Sequence, residues 1–357
     1  VKIAFNWKFY KLKRKVWFWV CAYAVLGTLT ALLGAFASYI IPDYEHTEGF
    51  GSESVSAILT ILASSMLAVT TFSLSIMVQA FGSASTGATP RSTSLLMSDA
   101  TTQNVLSTFL GVFVYSIVGI IGLHSQIYGA PGRMVLFWVT VVVLIAVLWQ
   151  LVRWINHLSN FGRLGDTIDR FETAVMQSIE NWTKMPRLGG NPVPKTFSNS
   201  LKASITPNTV GYVEFIDMER LQELAENNDL QIKVCDLPGG FVHQKSVILE
   251  VFGSQAIPEE TIVALAGCVS IVRVRTFEQD PRFGVVTLAE IAARALSPAT
   301  NDSGTAIDII GRFVRILSCF DPDAKAEPLY PLVFVPKLEI DDLMEDAFLS
   351  TIRDAGG

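Results

Sequence analysis

The sequence predicts an α-helical polytopic membrane protein with four transmembrane helices, followed by a C-terminal cytoplasmic α+β domain that contains a small β-sandwich-like unit. Three observations predict this fold class. Four long stretches without a charged residue occupy most of the first 152 positions, namely 16–41, 55–81, 103–123 and 134–152. The sequence after them is amphipathic and rich in charge. Lys and Arg are concentrated at the amino terminus, which indicates an orientation in the membrane.

Each of the four stretches is long enough to cross a bilayer. A helix rises about 1.5 Å per residue and the hydrocarbon core is roughly 30 Å thick. Backbone amides cannot stay unpaired in lipid, so segments of this composition form helices there. A cleaved signal peptide is the competing interpretation of the first stretch, because basic residues precede an apolar run that contains Ala35, Phe36 and Ala37. We predict four spans, forming a transmembrane domain over 1–152, because that apolar run is long.

The distribution of charge predicts where the termini lie. The first fifteen residues hold six Lys or Arg and no acid, whereas the loop 42–54 holds four acids and no Lys or Arg. Segments on the cytoplasmic side of a membrane carry such a positive excess. With four crossings, we expect both termini in the cytoplasm.

The two halves of the chain differ in net charge. Residues 1–190 carry 13 Lys/Arg against 9 Asp/Glu, and residues 191–357 carry 14 against 24. Phosphate groups would repel the acidic half, so we expect no nucleic-acid partner. The expected partners are the lipid bilayer and further copies of the same chain.

Small and polar residues form a line along the second predicted span. Ser64, Ala68, Thr71, Ser75 and Gln79 recur at helical spacing. Hydroxyl groups on such a line can bond to their own helix or pack against a neighbouring helix. They can also line a water-filled path, where they replace part of an ion's hydration. None of the four stretches contains Asp, Glu, Lys or Arg, which argues against a proton-coupled pump and a voltage sensor.

A linker helix and an α+β domain are predicted after the fourth stretch. Apolar residues at three-to-four spacing predict an amphipathic linker over 153–190. The domain is predicted over 197–357, β-rich in 205–253 and mainly helical in 259–320. Its predicted strands are 210–217, 229–235 and 246–251, and its predicted helices are 218–227, 259–269, 285–296 and 305–320.

One segment of the β-rich part is similar to a half-motif of lipoyl- and biotinyl-type barrel-sandwich domains. It comprises Pro-Gly-Gly-Phe-Val at 238–242 and Val-Ile-Leu-Glu-Val at 247–251. Those carrier domains present a modified lysine between methionines, and Lys245 lacks such neighbours. The similarity therefore implies a shape and no acyl carriage.

Two further segments match a recognisable signature. Residues 275–284 read Arg-Thr-Phe-Glu-Gln-Asp-Pro-Arg-Phe-Gly, and residues 295–302 read Ala-Leu-Ser-Pro-Ala-Thr-Asn-Asp. These two segments, together with residues 64–73 and 211–217, closely resemble the domain of unknown function 2254 (DUF2254), a family of predicted bacterial inner-membrane proteins. The order of the four segments along the chain makes the resemblance specific. The resemblance implies a membrane bundle, a cytoplasmic carboxy-terminal domain and no established reaction. Members of that family commonly continue with another helix.

The signature segments contain the densest polar cluster of the C-terminal half. Paired arginine forks in such a cluster can bind an anionic ligand. The cluster can equally be a network of ion pairs and helix caps that fixes one packing arrangement. Its members are Arg275, Glu278, Asp280, Arg282, Arg294, Asn301 and Asp302.

The sequence predicts no catalytic, cofactor-binding or metal site. It contains no HExxH, Walker or GxSxG motif. The four histidines are scattered, at His46, His124, His157 and His243. We therefore expect a non-enzymatic protein without a cofactor, and a membrane-bound enzyme is only a third possibility.

The expected function is a homo-oligomeric channel- or pore-like assembly with a cytoplasmic regulatory or assembly domain. Four spans without a charged binding site are too few for a typical alternating-access carrier, which favours a passive pore. The alternative is a non-conducting membrane scaffold or ligand sensor that acts through the cytoplasmic domain.

Overall fold

The computed structural model describes residues 52–91, 99–125, 130–158, 163–277 and 279–355, with five isolated helical positions between Phe18 and Leu29. The chain divides into two compact units, which meet in sequence between Asp166 and Thr167. Each unit is described by itself below.

The first unit contains three described helices that are long and apolar enough to cross a membrane. The candidate spans are Glu53–Gly87, Thr101–His124 and Gly132–Leu158. They lie within α1 (Ser52–Gly87), α2 (Ala100–His124) and α3 (Ala130–Leu158). The predicted crossing over 16–41 falls outside the described residues, apart from the five isolated positions, so the number of four spans stays a prediction.

The three helices pack through apolar layers and two buried polar contacts. Leu59 of α1, Tyr115 of α2 and Leu136 of α3 belong to one buried cluster. The Tyr115 hydroxyl lies 2.9 Å from Thr140 Oγ1. Trp154 Nε1 donates a hydrogen bond of 2.8 Å to Ser73 Oγ. These contacts provide hydrogen-bond partners for polar groups that are buried among apolar side chains.

Two helix ends in this unit differ from the predicted boundaries. The second span was predicted to end at Phe81, but α1 continues to Gly87 through part of the predicted loop. Buried Ala80 and Ala84 continue its packed face, and Thr86 Oγ1 donates to the Gly82 carbonyl at 2.9 Å. The fourth span was predicted to end at 152, but α3 continues to Leu158, so the start of the predicted linker belongs to α3.

The second unit begins within α4 (Leu164–Lys184), which is followed by a 3-10 turn (Pro186–Gly189) and β1 (Gly190–Pro192). It continues with β2 (Ser200–Ile205), β3 (Gly211–Ile216), α5 (Met218–Asn228), β4 (Leu230–Val234), β5 (Phe241–Val242) and β6 (Leu249–Gly253). Then follow α6 (Glu259–Ala266), β7 (Val269–Val272), α7 (Pro281–Leu296), α8 (Ser303–Ser318), β8 (Tyr330–Val335) and α9 (Ile340–Ala355).

The described strands of this unit form two sheets. The larger has the order β1-β8-β4-β6-β2, in which β8 is parallel to β1 and β4, while β6 is antiparallel to β4 and β2. The smaller has the order β5-β3-β7 and is antiparallel. The segment similar to carrier domains thus contributes β5 to one sheet and β6 to the other.

Local chemistry explains where the helices of this unit begin and end. Helix α7 begins four residues before its predicted start, because Asp280 caps it and Pro281 fits its first turn. Asp302 is the N-cap of the next helix, α8. The helix predicted over 259–269 ends at Ala266, and β7 begins at Val269, where β-branched residues favour a strand.

Candidate functional site

Helix α4 is fixed to the second unit along one apolar face. Phe171, Val175 and Ile179 are almost completely buried, at the helical spacing that places them on one side. Trp182 near the end of α4 is only 7% exposed. The helix therefore contributes to the core of this unit.

A network of charges holds the α4–α8 contact. Arg312 of α8 lies 2.6 Å from both Asp169 and Glu172 of α4, and 2.8 Å from Asp308. Arg315 also binds Glu172, at 2.6 Å. The hydrogen bond from Arg315 and the nearby charge of Arg312 hold the pKa of Glu172 below its ordinary value, against the opposing effect of burial. Glu172 thus binds both arginines as a carboxylate.

The first signature segment contacts the same helix. The Phe277 ring lies 5.7 Å from Phe171 of α4 and 4.6 Å from Phe283 of α7. A Cβ atom added at Gly284 would overlap Val175 Cγ2. The absence of a side chain at Gly284 therefore allows α4 to approach α7 closely. We call Phe277, Phe283 and Gly284 the α4 docking site.

Asp280 organises the turn before α7. Its side chain is 3% exposed and accepts hydrogen bonds of 3.1 Å from the backbone amides of Arg282 and Phe283. Arg275 donates to the same carboxylate from Nε at 2.8 Å and from Nη2 at 2.7 Å. Gly239 approaches from another loop with φ +92°, and a Cβ atom there would overlap the Asp280 carboxylate.

Arg282 connects α7 to α9. Its Nε and Nη2 donate to the two carboxylate oxygens of Asp346 at 2.6 and 3.1 Å. Its Nη1 lies 3.3 Å from Asp342. The guanidinium therefore forms a bidentate contact with Asp346 and a single contact with Asp342.

A cavity of about 340 Å³ lies beside these two arginines. Its wall combines the end of α4, the loop between β4 and β5, the start of α7 and the segment after β8. The lining residues are Trp182, Cys235, Asp236, Leu237, Pro238, Gly239, Gly240, Arg275, Pro281, Arg282, Pro336 and Leu338.

Two titratable groups of the cavity wall are shifted by burial. Burial raises the pKa of the Asp236 carboxyl above its ordinary value. Burial also raises the pKa of the Cys235 thiol to about 11, with a further contribution from Glu250. The thiol is therefore protonated near neutral pH and is a poor nucleophile.

The predicted polar cluster is divided between the two ends of α7. Arg275, Asp280 and Arg282 meet at its start. Arg294 lies in its last turn, and Asn301 and Asp302 follow its end, while 16 helical residues extend about 24 Å. Arg294 is exposed, Asn301 is exposed with φ +47°, Asp302 caps α8, and Glu278 falls outside the described residues.

Asp302 has a local capping role. It accepts from the Thr305 amide at 3.1 Å and from the Thr305 hydroxyl at 2.6 Å. The Thr305 hydroxyl and the Thr305 amide together hold its pKa below the ordinary value.

The polar line of the second predicted span lies on an exposed side of α1. Ser64, Thr71, Ser75 and Gln79 are all exposed in this single chain. Ser64 Oγ donates to the Thr60 carbonyl and Thr71 Oγ1 to the Ala68 carbonyl, both at 2.9 Å. These two hydroxyls are therefore satisfied within their own helix and do not bridge the described spans.

Sequence reasoning missed the residues that complete the cavity. Trp182, Asp236 and Gly239 come from separate segments, and their meeting depends on the tertiary fold. A Pro-Gly-Gly run is typical of a turn, and it is the sequence signal that fits the positive φ of Gly239. Within the described part of the chain, no three His, Cys, Asp or Glu side chains come together as a metal site.

Comparison with known proteins gives one family and two informative relatives. The sequence model of the family described as "Predicted membrane protein (DUF2254)" matches residues 13–357. Uncharacterised proteins of Mycobacterium bovis and Mycobacterium tuberculosis are each 23% identical over 342 residues, which cover 82% of this chain. The chain spans 63% of the length of these relatives. No solved structure matches the chain.

Proposed function

The chain belongs to the family of predicted membrane proteins designated DUF2254, and on this premise we propose that its C-terminal unit is a ligand-responsive module acting on the membrane-spanning helices through α4. In this proposal the protein is an inner-membrane sensor and the module lies in the cytoplasm. Helix α4 is the next described element after α3, and in this proposal a change in its position is passed to the spans along the chain.

The observation that carries this proposal is the position of α4 in the C-terminal unit. One part of the helix is fixed by the α4 docking site and by the Arg312 network, and Trp182 near its end forms part of the cavity wall. A ligand that alters the packing of Trp182 therefore acts on the helix that leads back to the spans. A two-state element biased by a ligand in this way is the physical requirement for a sensor.

Weakening the docking of α4 is expected to loosen the end of α3. Phe171→Leu removes aromatic contact with Phe277 at a buried position, so hydrogen exchange in peptides from α4 should accelerate about tenfold, equivalent to about 1.4 kcal/mol. Exchange in 151–158 should rise with it in the full chain. Thr173→Ala is the matched control, because Thr173 is exposed on the same helix. Faster exchange in α4 with no change in 151–158 would contradict transmission through this helix.

A conducting pore is the second candidate, and the exposed polar line of α1 favours it. In this alternative, several copies of the chain assemble as a homo-oligomer with Ser64, Thr71, Ser75 and Gln79 facing a central axis. The self-bonded hydroxyls of Ser64 and Thr71 retain acceptor capacity for water or an ion. The C-terminal unit then serves as the regulatory or assembly domain of the pore.

Bulky apolar residues on the polar line should reduce ion flux. We expect Thr71→Leu and Ser75→Leu each to lower the conductance of reconstituted protein several-fold, because they narrow and dehydrate the path. Val142→Leu is the control, since Val142 is also exposed but lies on α3. Flux through lipid vesicles, measured with K⁺ and with Cl⁻, provides the test. Vesicles that stay sealed with the unaltered protein would instead support a non-conducting sensor or scaffold.

A further inference from the structure

The cavity beside α4 has the size and the walls of a small-molecule site. Its volume of about 340 Å³ falls at the lower end of the range typical of ligand pockets, about 300–1,000 Å³. Apolar side chains and prolines from three segments form much of its wall: Leu237, Pro238, Pro281, Pro336 and Leu338. An apolar body of modest size would bury well against this surface.

The charges around the cavity favour a cation. The charge of Arg275 is balanced by one carboxylate, that of Asp280. Arg282 contacts two carboxylates, those of Asp342 and Asp346. With Asp236, the surroundings of the cavity hold two arginines and four carboxylates, of which Asp236, Arg275 and Arg282 line the cavity itself. The Nε, Nη1 and Nη2 atoms of Arg282 all contact carboxylates, so Asp342 and Asp346 would repel an anion at this guanidinium.

Asp236 is the carboxylate that remains for a ligand. It is half-buried in the cavity wall, and it forms no hydrogen bond or ion pair with the part of the chain that the structure describes. Burial of a carboxylate without a partner costs desolvation free energy. A cation that binds the carboxylate offsets this cost. Trp182 lines the same cavity, and an indole ring attracts an ammonium group.

We propose that this cavity binds a small amphipathic amine, whose ammonium group pairs with Asp236 and whose apolar body packs against the proline and leucine wall. This inference rests on the proposed sensor function and names the chemical class of its ligand. Occupation of the cavity places the ligand against Trp182 and hence against α4.

Three probes of similar size and different charge test the inference. The full chain, purified in detergent, is titrated calorimetrically with 2-phenylethylamine, 2-phenylethanol and 3-phenylpropionate. We expect measurable binding of the amine, binding of the alcohol about 10- to 100-fold weaker, and the weakest binding for the acid, because only the amine brings a positive charge as well as a hydrogen-bond donor to Asp236. Equal binding of all three probes, or tightest binding of the acid, would overturn the inference.

Matched variants assign the binding to Asp236. Asp236→Asn preserves the side-chain shape and removes the costly buried charge, so the unliganded protein should melt at the same or a higher temperature while amine affinity falls about 10- to 100-fold. Asp341→Asn is the control, because Asp341 is an exposed carboxylate at the start of α9. Unchanged amine affinity in Asp236→Asn would refute the site.

The ligand inference and the sensor proposal fail in different ways. Amine binding that depends on Asp236, without any change of hydrogen exchange in 151–158, supports the site and contradicts the sensor. Coupled exchange in Phe171→Leu, without Asp236-dependent amine binding, contradicts the site and leaves transmission through α4 intact.

Discussion

Gly284→Ala is expected to destabilise the C-terminal unit by about 2 kcal/mol, although alanine normally strengthens a helix interior. The added Cβ atom would overlap Cγ2 of Val175, which is buried and has a stiff, branched side chain. Relief requires α4 and α7 to separate, which also weakens the contacts of Phe171 with Phe277. Thermal unfolding of the full chain in detergent measures the effect.

A second glycine provides the control, because its substitution by alanine should change stability in the opposite direction. Gly311 lies within α8 with open space where its Cβ would be. Gly311→Ala should therefore stabilise the protein by about 0.5–1 kcal/mol through helix propensity alone. Combining Gly284→Ala with Val175→Ala should recover part of the loss, since the two positions are in contact. If Gly284→Ala proves as stable as Gly311→Ala, then close packing does not fix α4.

The docking of α4 shows which features of the fold could be predicted from the sequence and which could not. The three-to-four spacing of Phe171, Val175 and Ile179 predicts the apolar face of the helix, and the structure buries these three side chains. What that face contacts could not be predicted, because Phe277 and Gly284 lie about a hundred residues later in the chain. Periodicity reports which side of a helix is buried and carries no information about its partner.

The polar cluster shows a second limit of prediction from sequence, namely that closeness in sequence does not establish closeness in space. Sequence proximity suggested that Arg275, Asp280, Arg294 and Asp302 act together. An intervening helix of 16 residues places Asp280 and Asp302 at opposite ends of α7. Conversely, Gly239 reaches Asp280 across a long stretch of chain. The location of a candidate site therefore depended on tertiary contacts.

Non-local pairing also explains the strands that were missed. β8 pairs in parallel with β1 and β4, which precede it by a long stretch of sequence. Parallel pairing needs a crossover connection and leaves no hairpin turn to read in the sequence. β1 is three residues long and contains Pro192, which weakens its strand pattern further. Such strands are defined by their neighbours more than by their own composition.

The two aspartates of the signature should differ strongly in their importance for stability. Asp280→Ala removes a helix cap and leaves Arg275 unpaired in a largely buried position, which should cost about 3–5 kcal/mol. Asp302→Ala removes a cap that serves α8 at a more accessible site, and should cost about 1 kcal/mol. Chemical unfolding of both variants of the full chain measures the difference.

Two further variants separate capping from charge at Asp280. Asparagine caps helices about as well as aspartate, so Asp280→Asn keeps the bonds to the amides of Arg282 and Phe283 and loses only the attraction to Arg275. Adding Arg275→Met to Asp280→Asn should then restore stability, because no unpaired charge remains. Equal losses for Asp280→Ala and Asp302→Ala would mean that the buried pair with Arg275 contributes nothing. In that case the segment would hold the start of α7 by capping alone, and Arg275 would be free to serve the adjacent cavity.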